Sequence, residues 1–358
     1  MKKYQIRSAI LLYLQMIPVW IVLWLFFVFL RNYGHLIGNV ESPLSKLGSG
    51  QGLVIGVLVG SLAGIIYTSV ELLFERRFFQ KQSYARIIAG KLVFFFIGVK
   101  ILLLFGLNAI NSIDPTIFES MELVALLRSE SYWVVFIYFT VVASLISFLR
   151  MISRKFGPGV LWNMFIGRYQ NPREEQRIFM FLDLRSSTTI AEKLGHVKFS
   201  KLIQDCFADL TPVVNNHKVE IYQYVGDEAV LSWTMEKGME ENHCIHAYFN
   251  FMEVLALKSD YYEKVYGLQP FFKAGVHLGT VIVTEVGLVK REIAYHGDVL
   301  NTTARIQSQC NKLQQALLVS GQLLDQLQPD NQIEIKPLGE EILKGKKTPV
   351  TIYGVSRG

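Results

Sequence analysis

The chain has 358 residues, of which 51% are hydrophobic and 18% charged, with a formal net charge of +6. That is too apolar for an ordinary soluble protein, yet charged enough to include a folded aqueous domain, so two unlike parts are expected. The positive balance does not point to nucleic acid: no basic stripe with interleaved aromatics occurs, and Lys and Arg at the cytoplasmic ends of membrane spans account for it. Cys206, Cys244 and Cys310 are irregularly spaced and are read as reduced structural thiols.

Four segments in the first part, 9–30, 53–73, 87–110 and 132–150, are apolar enough to cross a bilayer core, which takes about 20 helical residues. The first follows Lys2, Lys3 and Arg7 but has no small-residue cleavage site after it, so it reads as an uncleaved span. Arg76, Arg77, Lys81 and Arg86 sit between the second and third spans, and Arg150, Arg154 and Lys155 follow the fourth. The other two loops hold few cations beside Glu41, Asp114, Glu119, Glu122 and Glu130. Since Lys and Arg stay on the cytoplasmic side, both termini are expected in the cytosol and the chain in the plasma membrane as a multi-pass protein. Gly56, Gly60 and Gly64 share a spacing that lets helices approach closely. Lys100 falls inside the third span, where an ammonium is costly, and Glu71 is a candidate partner for it.

The composition changes over 153–177, with Gly157, Pro158, Gly159 and Pro172, and reads as a linker between a membrane domain (1–152) and a second domain (178–355). There, 178–182 is a continuous apolar run ending in Asp183, as a buried central strand would be. Helical patterns follow over 188–194 and 199–214. Strand patterns at 219–224 and 229–233 flank a hairpin tip at Gly226-Asp227. A long helix is expected over 247–265, then strands over 271–277 and 281–286, a helix over 298–309, a strand near 317–320 and a C-terminal β-segment. This mixture indicates an α+β sheet with helices on one face.

Two strand-terminal aspartates, Asp183 and Asp227, can meet at one sheet edge. Paired hard oxygen ligands without a His or Cys set suit Mg²⁺ or Mn²⁺ rather than zinc. Leu184-Arg185-Ser186-Ser187-Thr188 forms a small-residue turn into a helix, whose first amides can hold phosphate. Each feature alone is also ordinary turn and cap chemistry. Asn301 and Arg305 project from one helical face, an amide and a guanidinium suited to a ribose and a reacting phosphate. Lys344 and Lys346 supply cations near the C-terminus that fit a triphosphate, or merely solvated charge. His243 and His246 beside Cys244 read as a helix-surface pair rather than a metal site.

In these stretches, over nearly the whole of 177–353, the sequence resembles the class III nucleotide cyclases. Phe181-Leu182-Asp183-Leu184-Arg185-Ser186-Ser187-Thr188 is similar to the family's first metal motif and Tyr224-Val225-Gly226-Asp227-Glu228 to the second. Gly297 to Arg305 resembles the motif of the transition-state asparagine and arginine, and Leu343-Lys344-Gly345-Lys346 the strand of the triphosphate lysine. The resemblance implies an all-α transmembrane domain of four helices plus an α+β ferredoxin-like class III nucleotide cyclase domain. It also implies conversion of ATP to 3′,5′-cyclic AMP and pyrophosphate. Asp183, Asp227 and the Leu184 carbonyl would hold two Mg²⁺ or Mn²⁺ ions, Asn301 and Arg305 would serve the transition state, and Lys346 or Lys344 the triphosphate. The site would lie between two copies of the chain in a head-to-tail homodimer.

The sequence departs from the family where the purine is read. Gln223 stands where adenylate-forming members have lysine and guanylate-forming members glutamate, and Ala294 replaces the usual partner. ATP is favoured, with GTP the alternative, and Lys290 or Arg291 could substitute as readers. A catalytically silent nucleotide-binding module and a diguanylate cyclase are the competing readings. The latter lacks its signature's second glycine and has no use for the Asn301/Arg305 pair.

Overall fold

The apolar runs of the first part fold as helices, α1 (Lys2–Ile37), α2 (Ser49–Phe74), α3 (Tyr84–Ile113) and α4 (Glu130–Phe156). The computed structural model describes residues 2–37, 49–74, 82–113, 130–157, 160–343 and 348–358. The chain divides into two compact units, Met1–Lys155 and Phe156–Gly358.

In the first unit, stretches Ala9–Phe27, Gly56–Phe74 and Phe136–Ser153 are long and apolar enough to cross a membrane. These are three of the four expected spans. The remaining one, 87–110, falls within α3, whose side chains from residue 102 onward lie outside the described residues. The glycine spacing in α2 works as close packing within the chain. A Cβ at Gly60 would lie 2.7 Å from the Ile21 Cα, and one at Gly64 2.9 Å from the Ile17 Cα, so α1 and α2 touch backbone to backbone. Trp20 sits at the centre, its ring centroid 5.2 Å from Tyr67 and 5.0 Å from Phe95. Leu14, Val22, Leu53 and Val134 face outward. Helices apolar on every side are what a bilayer requires.

Glu71 is buried in this unit, and its carboxylate takes Lys91 at 2.7 Å and Arg150 at 3.4 Å. The candidate partner for Lys100 is thus engaged by other cations, and Lys100 itself is exposed.

The second unit begins with a short helix, α5 (Val160–Phe165), and then β1 (Arg173–Leu184), so the stretch read as a linker already contains ordered elements. Next come α6 (Ser187–Leu194), α7 (His196–Asn216), β2 (Glu220–Val225), β3 (Glu228–Thr234), α8 (Met235–Met239), α9 (His243–Ala256) and α10 (Ser259–Tyr266). The rest is β4 (Phe272–Val286), β5 (Glu292–His296), α11 (Asp298–Ser308), β6 (Leu317–Ser320), α12 (Gly321–Leu324), β7 (Ile333–Glu341) and β8 (Val350–Arg357). The sheet order is β2-β3-β1-β4-β6-β8-β7, with β5 paired to β4. Its β2-β3-β1-β4 part is antiparallel and has the ferredoxin-like order. One face packs on α7, α9 and α10 through Leu202, Leu210, Ile245 and Phe251. The other carries Phe179, Val230 and Val283, which cluster with Val299 of α11.

Two expectations change. The helix expected over 247–265 breaks at Leu257 and Lys258. Lys258 bonds Asp209 of α7, and the redirected α10 brings the hydroxyls of Tyr262 to Asp209 and Tyr266 to Asp205. The two strands expected over 271–286 form one, because Gly279 is a packing glycine rather than a turn: a Cβ there would lie 2.5 Å from Val299 Cγ2. All three cysteines are buried and free.

A buried Arg177 on β1 reaches Ser232 at 3.0 Å, Glu175 at 2.9 Å and Glu220, and stacks 4.9 Å from the Tyr295 ring. Burial pushes the Glu220 carboxyl up, but the Arg177 charge and bond outweigh it and hold the group below its ordinary value.

Candidate active site

The edge of the sheet where β1 ends gathers the chemistry. Asp183 pairs in register with Glu228 on β3 and with Lys273 on β4. Its Oδ2 accepts a bond from Gln307 Nε2 at 3.0 Å and lies 3.2 Å from the Lys273 ammonium. Burial pushes the Asp183 carboxyl up, Lys273 opposes this, and the nearby Asp227 charge adds to the upward push. Glu228 is driven to about 7 by burial and by the charges of Asp183 and Asp227.

Asp227 is placed by a two-residue hairpin, since Val225 pairs with Glu228. Gly226 takes φ +61 as the first tip residue, a conformation that glycine adopts without steric cost. Asp227 Oδ2 is buried and has no hydrogen-bond partner among the described residues. An orphaned carboxylate oxygen beside a second carboxylate is the environment a divalent cation relieves, and an all-oxygen donor set suits Mg²⁺ or Mn²⁺. Among the described residues no three His, Cys, Asp or Glu side chains are grouped to hold a metal alone. Further donors therefore have to come from backbone, water or substrate oxygens, which is how Mg²⁺ is usually completed.

Beyond Asp183, the Leu184 side chain is buried and the Arg185 amide bonds the Phe271 carbonyl at 2.9 Å. Ser186 is left-handed (φ 56, ψ 32) and its side chain caps nothing in α6. The chain thus turns sharply into α6, with Ser187 half-buried and Arg185, Ser186 and Thr188 exposed.

On α11, Asn301 is exposed and Arg305 half-buried; the Arg305 carbonyl accepts from Ser308 Oγ at 2.7 Å, while its guanidinium has no hydrogen-bond or ion-pair partner among the described residues. Val299, Thr302, Thr303, Ile306 and Gln307 form its buried side. Asn301 and Arg305 therefore project away from the face that docks on the sheet. Gln223 is exposed on β2 next to an irregularity in the β2–β3 register, and Ala294 on β5 pairs with Thr284. The two substitute readers are engaged elsewhere, Lys290 with Glu292 and Arg291 with Glu285 at 3.9 Å. Lys344 and Lys346 lie outside the described residues.

His243 and His246 are not a surface pair. His243 is buried, its Nδ1 3.3 Å from Nδ1 of His217, while His246 bonds Asp330 at 2.7 Å. Lys273 and Gln307 escape a reading by motif, because what brings them to Asp183 is strand register and helix docking across the fold.

Residues 169–356 match the family model of the adenylate and guanylate cyclase catalytic domain. Adenylate cyclase 2 of Rhizobium meliloti (strain 1021) is 31% identical over 224 residues, which cover 63% of this chain and 62% of that protein. Human guanylyl cyclase C is 25% identical over 182 residues, half of this chain and 17% of that one. The fold is similar to that of a bacterial light-regulated adenylyl cyclase, with a TM-score of 0.54 at 20% identity over 64% of this chain and 67% of the other. With Asp183 and Asp227 together at one edge of a ferredoxin-like sheet and more than half of the sequence matched, the chain belongs to the class III adenylate and guanylate cyclase family.

Proposed function

We propose that this chain is a membrane-anchored adenylate cyclase that converts ATP to 3′,5′-cyclic AMP and pyrophosphate. The observation that carries the reading is the buried, unpartnered Asp227 Oδ2 beside Asp183. The likeness to an adenylate cyclase over 63% of the chain supports ATP as substrate. Gln223, whose amide can both donate and accept, keeps GTP as the alternative.

Asp183, Asp227 and the Leu184 carbonyl would hold Mg²⁺ or Mn²⁺, two per site. Bound there, the metal would acidify the ribose 3′-hydroxyl and neutralise charge on the phosphates. The turn from Arg185 to Thr188 offers the first amides of α6 to phosphate oxygens, and Lys344 or Lys346 would add a cation to the triphosphate. Asn301 would orient the ribose, and Arg305 would offset the charge that builds on the α-phosphate as the 3′-oxygen attacks in line. Because Asn301 and Arg305 point away from the sheet that carries the aspartates, a homodimer is proposed in which each chain lends this pair to its partner's nucleotide.

Membrane anchoring is proposed from the apolar helices, and the positions of Lys and Arg support a topology with both termini and the 178–355 domain in the cytoplasm and the anchor in the plasma membrane. Purified full-length protein with Mn²⁺ and ATP is expected to release cyclic AMP and pyrophosphate in equal amounts. Asp227→Ala is expected to abolish this while the unfolding temperature of the metal-free protein is kept. Mixing Asp183→Asn chains with Asn301→Ala chains is expected to restore part of the activity, since one of the two mixed sites is intact. Unchanged turnover in Asp227→Ala would discard the metal assignment, and no restoration in the mixture would discard the shared site.

A further inference from the structure

We infer that Gln307 is a positioning residue for the metal edge, holding the Asp183 carboxylate in its binding orientation whether or not a cation is present. This rests on the reading of Asp183 as a metal ligand. Two donors meet Asp183 Oδ2, the Gln307 amide at 3.0 Å and the Lys273 ammonium at 3.2 Å. They respond differently to an arriving cation. Lys273 carries a like charge and is repelled, so its hold on Asp183 weakens as the metal binds. The Gln307 amide is neutral and suffers no such repulsion, which leaves it as the donor that persists through the binding event. Its neutrality has a second effect: a glutamate here would add one more acid to Asp183, Asp227 and Glu228, whose charges already oppose one another.

The backbone under Gln307 is fixed closely enough for this task. A Cβ on Gly275 would come within 2.4 Å of the Gln307 nitrogen and 2.7 Å of its Cα, so α11 rests directly on β4 with no side chain between. Gly275 pairs with Phe181, two residues before Asp183 on the neighbouring strand. Gln307 is 7% exposed, so water does not compete freely for its amide. The amide therefore reaches Asp183 from a seat built on the same two strands that place the carboxylate. Outer partners of metal ligands act in this way by fixing the ligand's orientation.

The test uses the full-length protein in detergent, with Mn²⁺ binding followed by electron paramagnetic resonance without nucleotide and the Mn²⁺ dependence of turnover measured in parallel. Gln307→Met keeps the volume and removes the donor. It is expected to weaken Mn²⁺ binding about tenfold or more, with turnover recovering substantially at saturating Mn²⁺. Gln307→Glu has nearly the same shape but presents an acceptor in place of the donor, and is expected not to restore the turnover that Gln307→Met loses at limiting Mn²⁺. Asp183→Asn is the control for the underlying reading. If Asp183→Asn leaves Mn²⁺ binding unchanged, the metal edge itself is misplaced. If Asp183→Asn abolishes binding while Gln307→Met binds Mn²⁺ as the parent does, only the role of Gln307 is overturned.

Discussion

Asp183 and Lys273 lie opposite each other on adjacent strands, and their side chains form an ion pair of 3.2 Å at the edge where the acidic residues converge. The ammonium occupies part of the role a divalent cation would take. Lys273→Met is therefore expected to tighten Mn²⁺ binding severalfold in the absence of nucleotide, because a competing positive charge is removed. Titration followed by electron paramagnetic resonance checks this, and weaker binding in the variant would show that Lys273 supports the cation rather than competing with it.

Base choice is proposed to turn on Gln223, which is exposed on β2. Gln223→Lys is expected to raise the ratio of ATP to GTP turnover, and Gln223→Glu to lower it, each on the order of tenfold, as for hydrogen-bonded readout of a base edge. Side-by-side kcat/KM values with both nucleotides decide it; a ratio unmoved by either change places the purine elsewhere.

Acid sensitivity of the second unit is expected from His217. Burial, followed by the nearby His243 and His246, holds its imidazole down at about 4, whereas an unfolded chain titrates near the ordinary value of 6.5. The group is neutral when folded, so the stability is present in full above 6.5 and is lost as the pH falls from there towards 4. The cost at the lower end is roughly 3 kcal/mol. Thermal unfolding between pH 4 and pH 7 measures it. His217→Gln is expected to flatten that limb, and an unchanged slope would exclude His217 as its source.

In the first unit, Glu71→Ala removes the carboxylate that Lys91 and Arg150 share. The expected loss is at least about 1 kcal/mol, above the average of about 0.6 kcal/mol for an interhelical hydrogen bond in a bilayer protein. The unfolding midpoint of full-length protein in detergent reads this directly, and Glu71→Gln is expected to fall between parent and Ala.

What the sequence discloses and what it hides divide along the distance over which the cause acts. Asp183 and Asp227 are legible because each closes a local pattern, an apolar run and a Gly-Asp hairpin, and the spacing of Asn301 and Arg305 encodes a shared helical face. The apolar segments are legible for the same reason, since length and composition alone make a span. Lys273 and Gln307 become visible only once β1 is paired with β4 and α11 is seated on Gly275. Gly279 misleads for a related reason: locally a glycine suggests a turn, while here it makes room for Val299 on a helix twenty residues later. His243 likewise depends on His217, which approaches it from the end of α7.

β4 and β6 run parallel within an otherwise antiparallel sheet. A parallel neighbour cannot be reached by a hairpin, so the chain has to pass over the sheet between them, and α11 lies on that passage. The helix bearing Asn301 and Arg305 is thus part of the wiring of the sheet rather than an attachment to it. A chain whose α11 failed to seat would also disturb the passage to β6, and with it β8 and β7, so a change that displaces Asn301 and Arg305 is expected to cost the fold as well.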